Sequence, residues 1–307
     1  MRKLCSKGLA AGQYAYLGQP SCCLFFGHGV GDDLLCTTVA RELKRRGAGK
    51  IAMFSQRRAL FEKNPDIAVV VNWGYPSVGR LRLWGYTVHV PQFSTYDNEN
   101  DVDIFNNEHM LATMCRMSGI RGSIRLRPYL NLTQHEHGYG RFFDRQVVIQ
   151  SAGLGDMLNK DWIVDRYQDV ADRLQKNTKV IQLGLSCDPQ IKGAYDLRGK
   201  TTLRQAAAIL YNSLVFVGQV GFLMHLARAV DCRSVIIYGG RETPEIVGYS
   251  ANENIVSEMS CAPCWQRNRC EFQRECMSEI EVEPVYNATL RQIERLGSPL
   301  PVDVVEI

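Results

Sequence analysis

Residues 21–26 form an unbroken apolar run that opens into Gly27-His28-Gly29-Val30-Gly31-Asp32-Asp33. A short run of this kind suits a strand buried on both faces. Leu35, Val39 and Leu43 then recur at four-residue intervals, which predicts an amphipathic helix. Lys44, Arg45 and Arg46 fill its last turn, where cations complement the helix dipole, and Gly47 suits the position just past the end. Residues 51–54 predict a second strand, 57–63 a short helix stopped by Asn64-Pro65, and 67–71 a third strand. This β-α-β-α-β order opens a doubly wound sheet.

The middle of the chain is less regular. Residues 86–93 alternate like a strand, 97–103 read as an acidic loop, 107–117 as a helix and 123–126 as a strand. Residues 128–140 read as a linker with a helical start near Thr133. The run QVVIQ at 146–150 is again a buried strand, which places a domain boundary near Phe143. A second α/β series follows, with a helix over 162–175 and a strand over 180–183. Thr202 and Gln205 have capping-box spacing, so a helix should start at Leu203. Then come a strand at 214–217, a two-glycine loop at 218–222, a helix at 224–230 and a strand at 235–238. A last short helix is expected from Tyr286 to about Leu296, with 298–307 as a tail. The expectation is two similar α/β domains, 1–143 and 144–307, facing each other. Open sheets of this type bind ligands at the carboxyl ends of their strands, where helix N-termini converge.

Composition narrows the classes. The 307 residues are 45% hydrophobic and 22% charged, ordinary for a globular chain with a full core. A net charge of +4 is too weak to argue for nucleic acid, and it suits anionic small molecules equally well. The N-terminus has basic residues but no continuous apolar segment, so no signal peptide is expected, and no apolar run approaches a bilayer span. The expected location is cytoplasmic, with at most peripheral contact at the inner membrane. Eleven cysteines is a high and odd number. Seven are scattered, several of them inside expected strands or helices, where a free cysteine is a small buried apolar residue, and in a reducing compartment a disulfide framework is not expected.

Four stretches could carry chemistry. In the loop 27–33 the glycines let backbone approach a ligand, and Asp32 either projects into a cleft or, like Asp33, caps the helix. Lys160, within Asn159-Lys160-Asp161-Trp162, either neutralises a diphosphate or lies on the surface. His225 sits among apolar neighbours one turn beyond the loop 218–222 and reads alone as a buried core histidine. Cys261, Cys264, Cys270 and Cys276 fall within sixteen positions and open with C-x-x-C, which suits a closed all-thiolate site for structural zinc or iron. The rival is a set of reduced or redox-paired thiols. The segments between them are poor in apolar residues, so a metal would supply stability that the loop lacks.

Together these stretches resemble glycosyltransferase family 9, the ADP-heptose heptosyltransferases of lipopolysaccharide core assembly. The similarity lies in GVGDDLLCTTVARELKRRG, in FEKNPDI, in NKDW, in DLRGKTTLRQAAAIL with the later FVG and MHLARAV, and in CAPCW with the cysteines that follow. It spans roughly residues 22 to 290. The resemblance implies a GT-B fold: two Rossmann-like domains across a cleft, the first binding acceptor and the second a nucleotide-sugar donor. It implies an inverting glycosyltransferase with Asp32 as base and Lys160 opposite the donor phosphates, without a catalytic metal. It places Gly218, Gln219, Gly221 and His225 around the donor. An ADP-sugar is the favoured donor, with heptose as the sugar the family suggests, and a glycolipid, polysaccharide or protein is the acceptor. One departure stands out. Where many members carry an acid in the loop before the histidine, this chain has Val220, so Gln219 or Glu242 would have to substitute for that acid. The alternatives are a nucleotide-sugar epimerase or hydrolase on the same fold, and a non-catalytic sugar-binding protein. A Rossmann oxidoreductase is disfavoured, because Phe54-Ser55-Gln56-Arg57 offers no acid for a ribose.

Overall fold

A computed structural model describes residues 22–26, 29–72, 77–83, 85–152 and 157–307. Gly27 and His28 of the first glycine loop, residues 153–155 of the loop after QVVIQ, and the N-terminal segment with Cys5 lie outside the described residues.

The first half builds a four-stranded parallel sheet. In chain order its elements are β1 (Cys22–Phe25), α1 (Val30–Arg45), β2 (Ile51–Phe54), β3 (Val69–Val71), α2 (Val78–Leu83) and β4 (Thr87–His89). The strand order is β3-β2-β1-β4, in register Cys22↔Ile51 and Cys22↔Thr87. Residues expected as a helix at 57–63 form a single 3-10 turn, Arg58–Phe61. The acidic stretch expected as a loop is instead the tip of an antiparallel hairpin, β5 (Ser94–Asp97) and β6 (Val102–Phe105). Asp97 caps that tip by accepting from the Glu99 and Asn100 N–H groups, the usual role of an Asx residue in a turn. After it come α3 (Met110–Met117), β7 (Ser123–Arg125) and α4 (Gln134–His137). Thr133 and Glu136 close a reciprocal capping box on α4.

The second half builds a six-stranded sheet, with all of its described pairings parallel. It runs β8 (Gln146–Ile149), α5 (Val164–Leu174), β9 (Lys179–Gln182), β10 (Tyr195–Asp196), α6 (Leu203–Tyr211), β11 (Val215–Gln219), α7 (Phe222–Ala229), β12 (Ser234–Gly239), α8 (Pro244–Val247) and β13 (Asn252–Val256). Strand order is β10-β9-β8-β11-β12-β13. The capping box expected on α6 is present: Thr202 N–H donates to Gln205 Oε1 at 2.9 Å, and Gln205 N–H donates to Thr202 Oγ1 at 3.2 Å. Glycine is required at Gly140, which has φ +83° and lies so close to α6 that a Cβ would stand 2.8 Å from Ile209 Cα.

The chain ends with α9 (Glu275–Ser278), α10 (Val282–Glu294) and β14 (Val304–Glu306). The expected tail is therefore partly a strand. Its Val304 and Glu306 pair antiparallel with Arg125 and Ser123 of β7, so the chain returns to the first half. Helix α1 lies against both α3 and α7. Leu34, Leu35 and Val39 on α1 share one buried core with Phe216 and Leu226 of the second half. Each such side chain contributes roughly 1.5–3 kcal/mol on burial. That packing fixes the start of α1 opposite the start of α7, and the cleft opens between them.

Candidate active site

A cleft of about 610 Å³ lies between the two sheets. Asp32, Lys160, Gln219, Gly221, His225 and Glu242 all line it, as does Val220. Gly218 does not. It is inside β11, and a Cβ there would meet the Phe216 ring at 2.5 Å, so this glycine serves packing rather than ligand approach. The two-glycine loop is correspondingly shorter than expected: Gly218 and Gln219 are strand, and α7 starts at Phe222.

The two adjacent acids at the start of α1 divide their roles. Asp33 is fully buried, accepts from Ser55 Oγ at 2.7 Å and pairs with Arg57 at 2.9 Å. Burial pushes its carboxyl up, against the opposing pull of Ser55 and Arg57. Asp32 faces the cleft and also accepts the Gly29 N–H at 2.6 Å through Oδ2. Both readings of Asp32 thus hold at once, because a residue three places into a helix can cap it and still border the crevice.

Lys160 ends a 3-10 turn, Leu158–Lys160, that is tied to the cysteine segment. Asn159 donates from its backbone to Arg267 O at 3.1 Å and from its amide to Gln266 O at 3.1 Å and Arg269 O at 2.8 Å. The Lys160 ammonium meets Glu242 Oε1 at 3.0 Å. Burial, opposed by Glu242, holds that ammonium below the ordinary lysine range. Burial also pushes the Glu242 carboxyl up, but Lys160 and Arg241 outweigh it and leave the group ionised more readily than usual.

The pair belongs to a longer chain of charge that no local sequence feature announces. Arg241, 1% exposed, bridges the carboxylates of Glu242 and Asp103 and donates to Gln266 O at 2.9 Å. Asp103 also pairs with Arg267 at 2.7 Å, and the Arg267 guanidinium stacks 3.8 Å over the Tyr96 ring. Three cations and two carboxylates leave this row one positive charge in excess. A row of that sign suits an anionic ligand, and Lys160, Glu242, Asp103, Arg267 and Tyr96 all border the cleft. The hairpin β5–β6 supplies Tyr96 and Asp103. It is held to the cysteine segment by the pairing of Val102 with Gln266 and by Phe105 stacked on Trp265 at 4.4 Å.

Among the described residues no side chain caps the Gly221 end of α7, so its first N–H groups face the cleft without one. Gln219 donates from Nε2 to Asp161 Oδ1 at 2.9 Å, which turns its carbonyl the other way. Gln219 Oε1 and Glu242 Oε2 are buried acceptors with no hydrogen-bond partner among the described residues. His225 is buried, with Nδ1 2.7 Å from Tyr249 Oη. Burial, helped by the charge of Lys160, lowers its pKa to about 3, so the ring is neutral.

Cys261, Cys264, Cys270 and Cys276 line one further cavity of about 210 Å³. Burial raises the Cys264 and Cys276 thiols, and the neighbouring cysteines add to the rise. Among the described residues, no three His, Cys, Asp or Glu side chains are drawn together closely enough to hold a metal ion.

Two parallel sheets facing across a cleft, with an acid from one half and a lysine from the other, define a GT-B glycosyltransferase architecture. Residues 129–274, a little under half of the chain, match the sequence model of glycosyltransferase family 9 (heptosyltransferase). That match supports a glycosyltransferase that uses a nucleotide-sugar donor, and the matched segment is similar to that family without covering half of the chain. The bacterial iron-containing dodecameric glycosyltransferase TibC from enterotoxigenic E. coli superposes with a TM-score of 0.71 at 19% identity, over 90% of this chain and 77% of that one. The glycosyl transferase family 9 protein from Veillonella parvula gives 0.68 at 14%, over 90% and 98%. E. coli ADP-heptose LPS heptosyltransferase II gives 0.61 at 16%, over 88% and 99%. At these identities the structures speak for the fold. No curated protein matches the chain.

Proposed function

We propose that the protein is an inverting glycosyltransferase that takes its sugar from an ADP-sugar. The first domain, residues 1–143, would bind the acceptor and the second, 144–307, the donor. The observation that carries this reading is that Asp32 and Lys160, far apart in sequence and on opposite halves, border one cleft. In the proposed reaction Asp32 takes the proton of the acceptor hydroxyl as it attacks the anomeric carbon. The sugar passes through an oxocarbenium-like state and the nucleoside diphosphate leaves on the other side. Lys160 and the N–H groups at the start of α7 receive the growing phosphate charge. Asp32 Oδ2 also accepts the Gly29 N–H at 2.6 Å, which holds the carboxylate at the helix start.

Val220 has no polar group to offer a sugar hydroxyl. In this reading Gln219 Oε1 and Glu242 Oε2, both buried acceptors, bind the donor hydroxyls in its place. TibC crystallised in complex with ADP-D-beta-D-heptose, which supports an ADP-sugar here. The acceptor in this reading is a glycolipid, polysaccharide or protein, reached from the cytoplasm or the inner-membrane surface. Among the described residues no helix is long and apolar enough to cross a membrane.

The four cysteines hold a structural zinc or iron in this reading, and TibC is iron-containing. A donor set of four thiols on one cavity fits a tetrahedral ion, with bonds near about 2.3 Å that require the sulfurs to draw closer than they stand. The ion would tie together the segment that positions Asn159, Arg241 and the hairpin.

Transfer and hydrolysis assays with ADP-, GDP- and UDP-sugars test the reading. Turnover is expected, best with an ADP-sugar, and Asp32→Asn should lose about 10²-fold or more. Absence of turnover with every nucleotide sugar sinks the transferase, and normal turnover by Asp32→Asn sinks the base.

A further inference from the structure

Tyr249 stands outside the cleft yet touches a residue inside it. It is 2% exposed, it follows α8, and its hydroxyl meets His225 Nδ1 at 2.7 Å. Among the described residues no other acceptor is within hydrogen-bond reach of that hydroxyl. Burial pushes the phenol far above its ordinary pKa, so the proton stays on oxygen. A buried O–H with one neighbour donates to it. His225 Nδ1 must therefore be the unprotonated nitrogen, and in a neutral ring the proton then sits on Nε2. The Cδ2–Nε2 edge of His225 faces the start of α1: a Cβ on Gly31 would lie 3.6 Å from His225 Cδ2. His225 lines the cleft, as Gly31 and Asp32 do.

The backbone that carries Tyr249 is itself pinned. His109, the N-cap of α3, has Nε2 2.8 Å from Gly248 O and accepts the Leu111 N–H on Nδ1 at 3.1 Å. A carbonyl only accepts, so His109 is the donor and its tautomer is fixed as well. Glycine at 248 permits the tight fit, because a Cβ would fall 2.4 Å from Tyr238 Oη. The linkage runs from the first half to the second: His109 holds Gly248, Gly248 carries Tyr249, and Tyr249 sets His225.

We propose that Tyr249 is a positioning residue that fixes His225 as the Nε2–H tautomer, so that the cleft presents an uncharged N–H donor to an oxygen of the bound nucleotide sugar. A neutral donor stays in place beside Lys160 without adding a second charge. It leaves Asp32 as the proton acceptor of the pair. Rotation of the ring, or the other tautomer, would point a lone pair at the same oxygen and repel it. The assignment of the oxygen to a donor substrate rests on the transferase reading; the tautomer does not.

The test is Tyr249→Phe, which removes one oxygen and keeps the ring. Nitrogen-15 spectra of histidine-labelled protein should show His225 as a single Nε2–H tautomer in the wild type and a mixture in the variant, with the thermal melt of the variant retained. Its kcat/KM should fall about tenfold, one ordered hydrogen bond. Binding titrations locate the oxygen: a loss seen with ADP alone assigns a phosphate oxygen, and a loss seen only with the ADP-sugar assigns a sugar oxygen. His225→Gln, which keeps an N–H donor, should recover more activity than His225→Leu. A wild-type His225 protonated on Nδ1, or a Tyr249→Phe protein with unchanged spectra and unchanged kcat/KM, overturns the proposal. If the wild type binds no nucleotide sugar, the transferase reading fails while the spectra still decide the tautomer.

Discussion

Replacing Arg241 by methionine probes the charged row at its centre. The guanidinium is 1% exposed and bonds two carboxylates and one carbonyl. A hydrogen bond to a charged group contributes about 1.5–3 kcal/mol, and breaking a buried ion pair costs about 3–5 kcal/mol. Here each abandoned carboxylate keeps a second partner, Glu242 with Lys160 and Asp103 with Arg267. The loss should therefore fall near the low end, about 3 kcal/mol. The row also goes from one excess positive charge to none, and Glu242 is left to compete with phosphate for Lys160. Nucleotide affinity should drop about tenfold as well, one added 1.4 kcal/mol. Urea unfolding at pH 7 of the wild type, Arg241→Met, Asp103→Asn and the double variant gives the coupling directly, expected at about 1.5–3 kcal/mol. An Arg241→Met protein within about 0.5 kcal/mol of wild type, or strictly additive substitutions, would refute the idea that the row is a connected unit.

Three further outcomes are expected. His225 and His109 are held neutral by burial, at pKa values of about 3 and about 4 against an ordinary 6.5, so the unfolded chain gains protons first as pH falls. Stability should drop between pH 6.5 and 4 with a slope of up to about 2.7 kcal/mol per pH unit, and His109→Gln should roughly halve it in unfolding titrations. Glu136 is held to about 2 by its bond to Arg204, so its contribution is full above its ordinary 4.5 and is lost as pH falls toward 2; Glu136→Gln should flatten that part of the profile. Cys23, Cys115 and Cys232 are pushed up to about 12 by burial, whereas Cys187 is exposed. Alkylation at pH 8 followed by mass spectrometry should label Cys187 at once and those three only on unfolding, and zinc or iron should protect Cys261, Cys264, Cys270 and Cys276. Labelling of those four at the rate of Cys187 in metal-loaded protein would remove the metal site.

Much of the scaffold is legible in periodicity. Parallel strands buried on both faces, such as QVVIQ, show as plain apolar runs, and the capping box at Thr202 marks a helix start to the residue. The hairpin β5–β6 is hidden because STYD and VDIF are only four residues each and STYD is polar, and the bridge from Val102 to Gln266 that ties the hairpin down lies far along the chain. The same distance in sequence hides the charged row: Asp103 and Arg241 meet across 138 positions, and nothing local to either marks the partner. Strand β14 looks like a tail because its only described partner, β7, belongs to the other half. Gly218 misleads for a related reason. A glycine before a turn suggests ligand approach, but here the constraint is the ring of Phe216 two residues earlier in the same strand. The local sequence marks Asp32 and Lys160 as candidates, at a glycine-rich helix start and beyond a buried strand, but leaves each with a structural reading that only the motif resemblance tips towards chemistry.

The central claim is that the cleft binds a nucleotide-diphosphate sugar with Lys160 on its phosphates. Isothermal titration of ADP and an ADP-sugar into the wild type and Lys160→Met tests it most directly. Saturable one-to-one binding is expected in the wild type, weakened at least about tenfold by the substitution, the loss of one charge-assisted contact. Failure of the wild type to bind any nucleotide sugar, or equal affinity in both proteins, would contradict it.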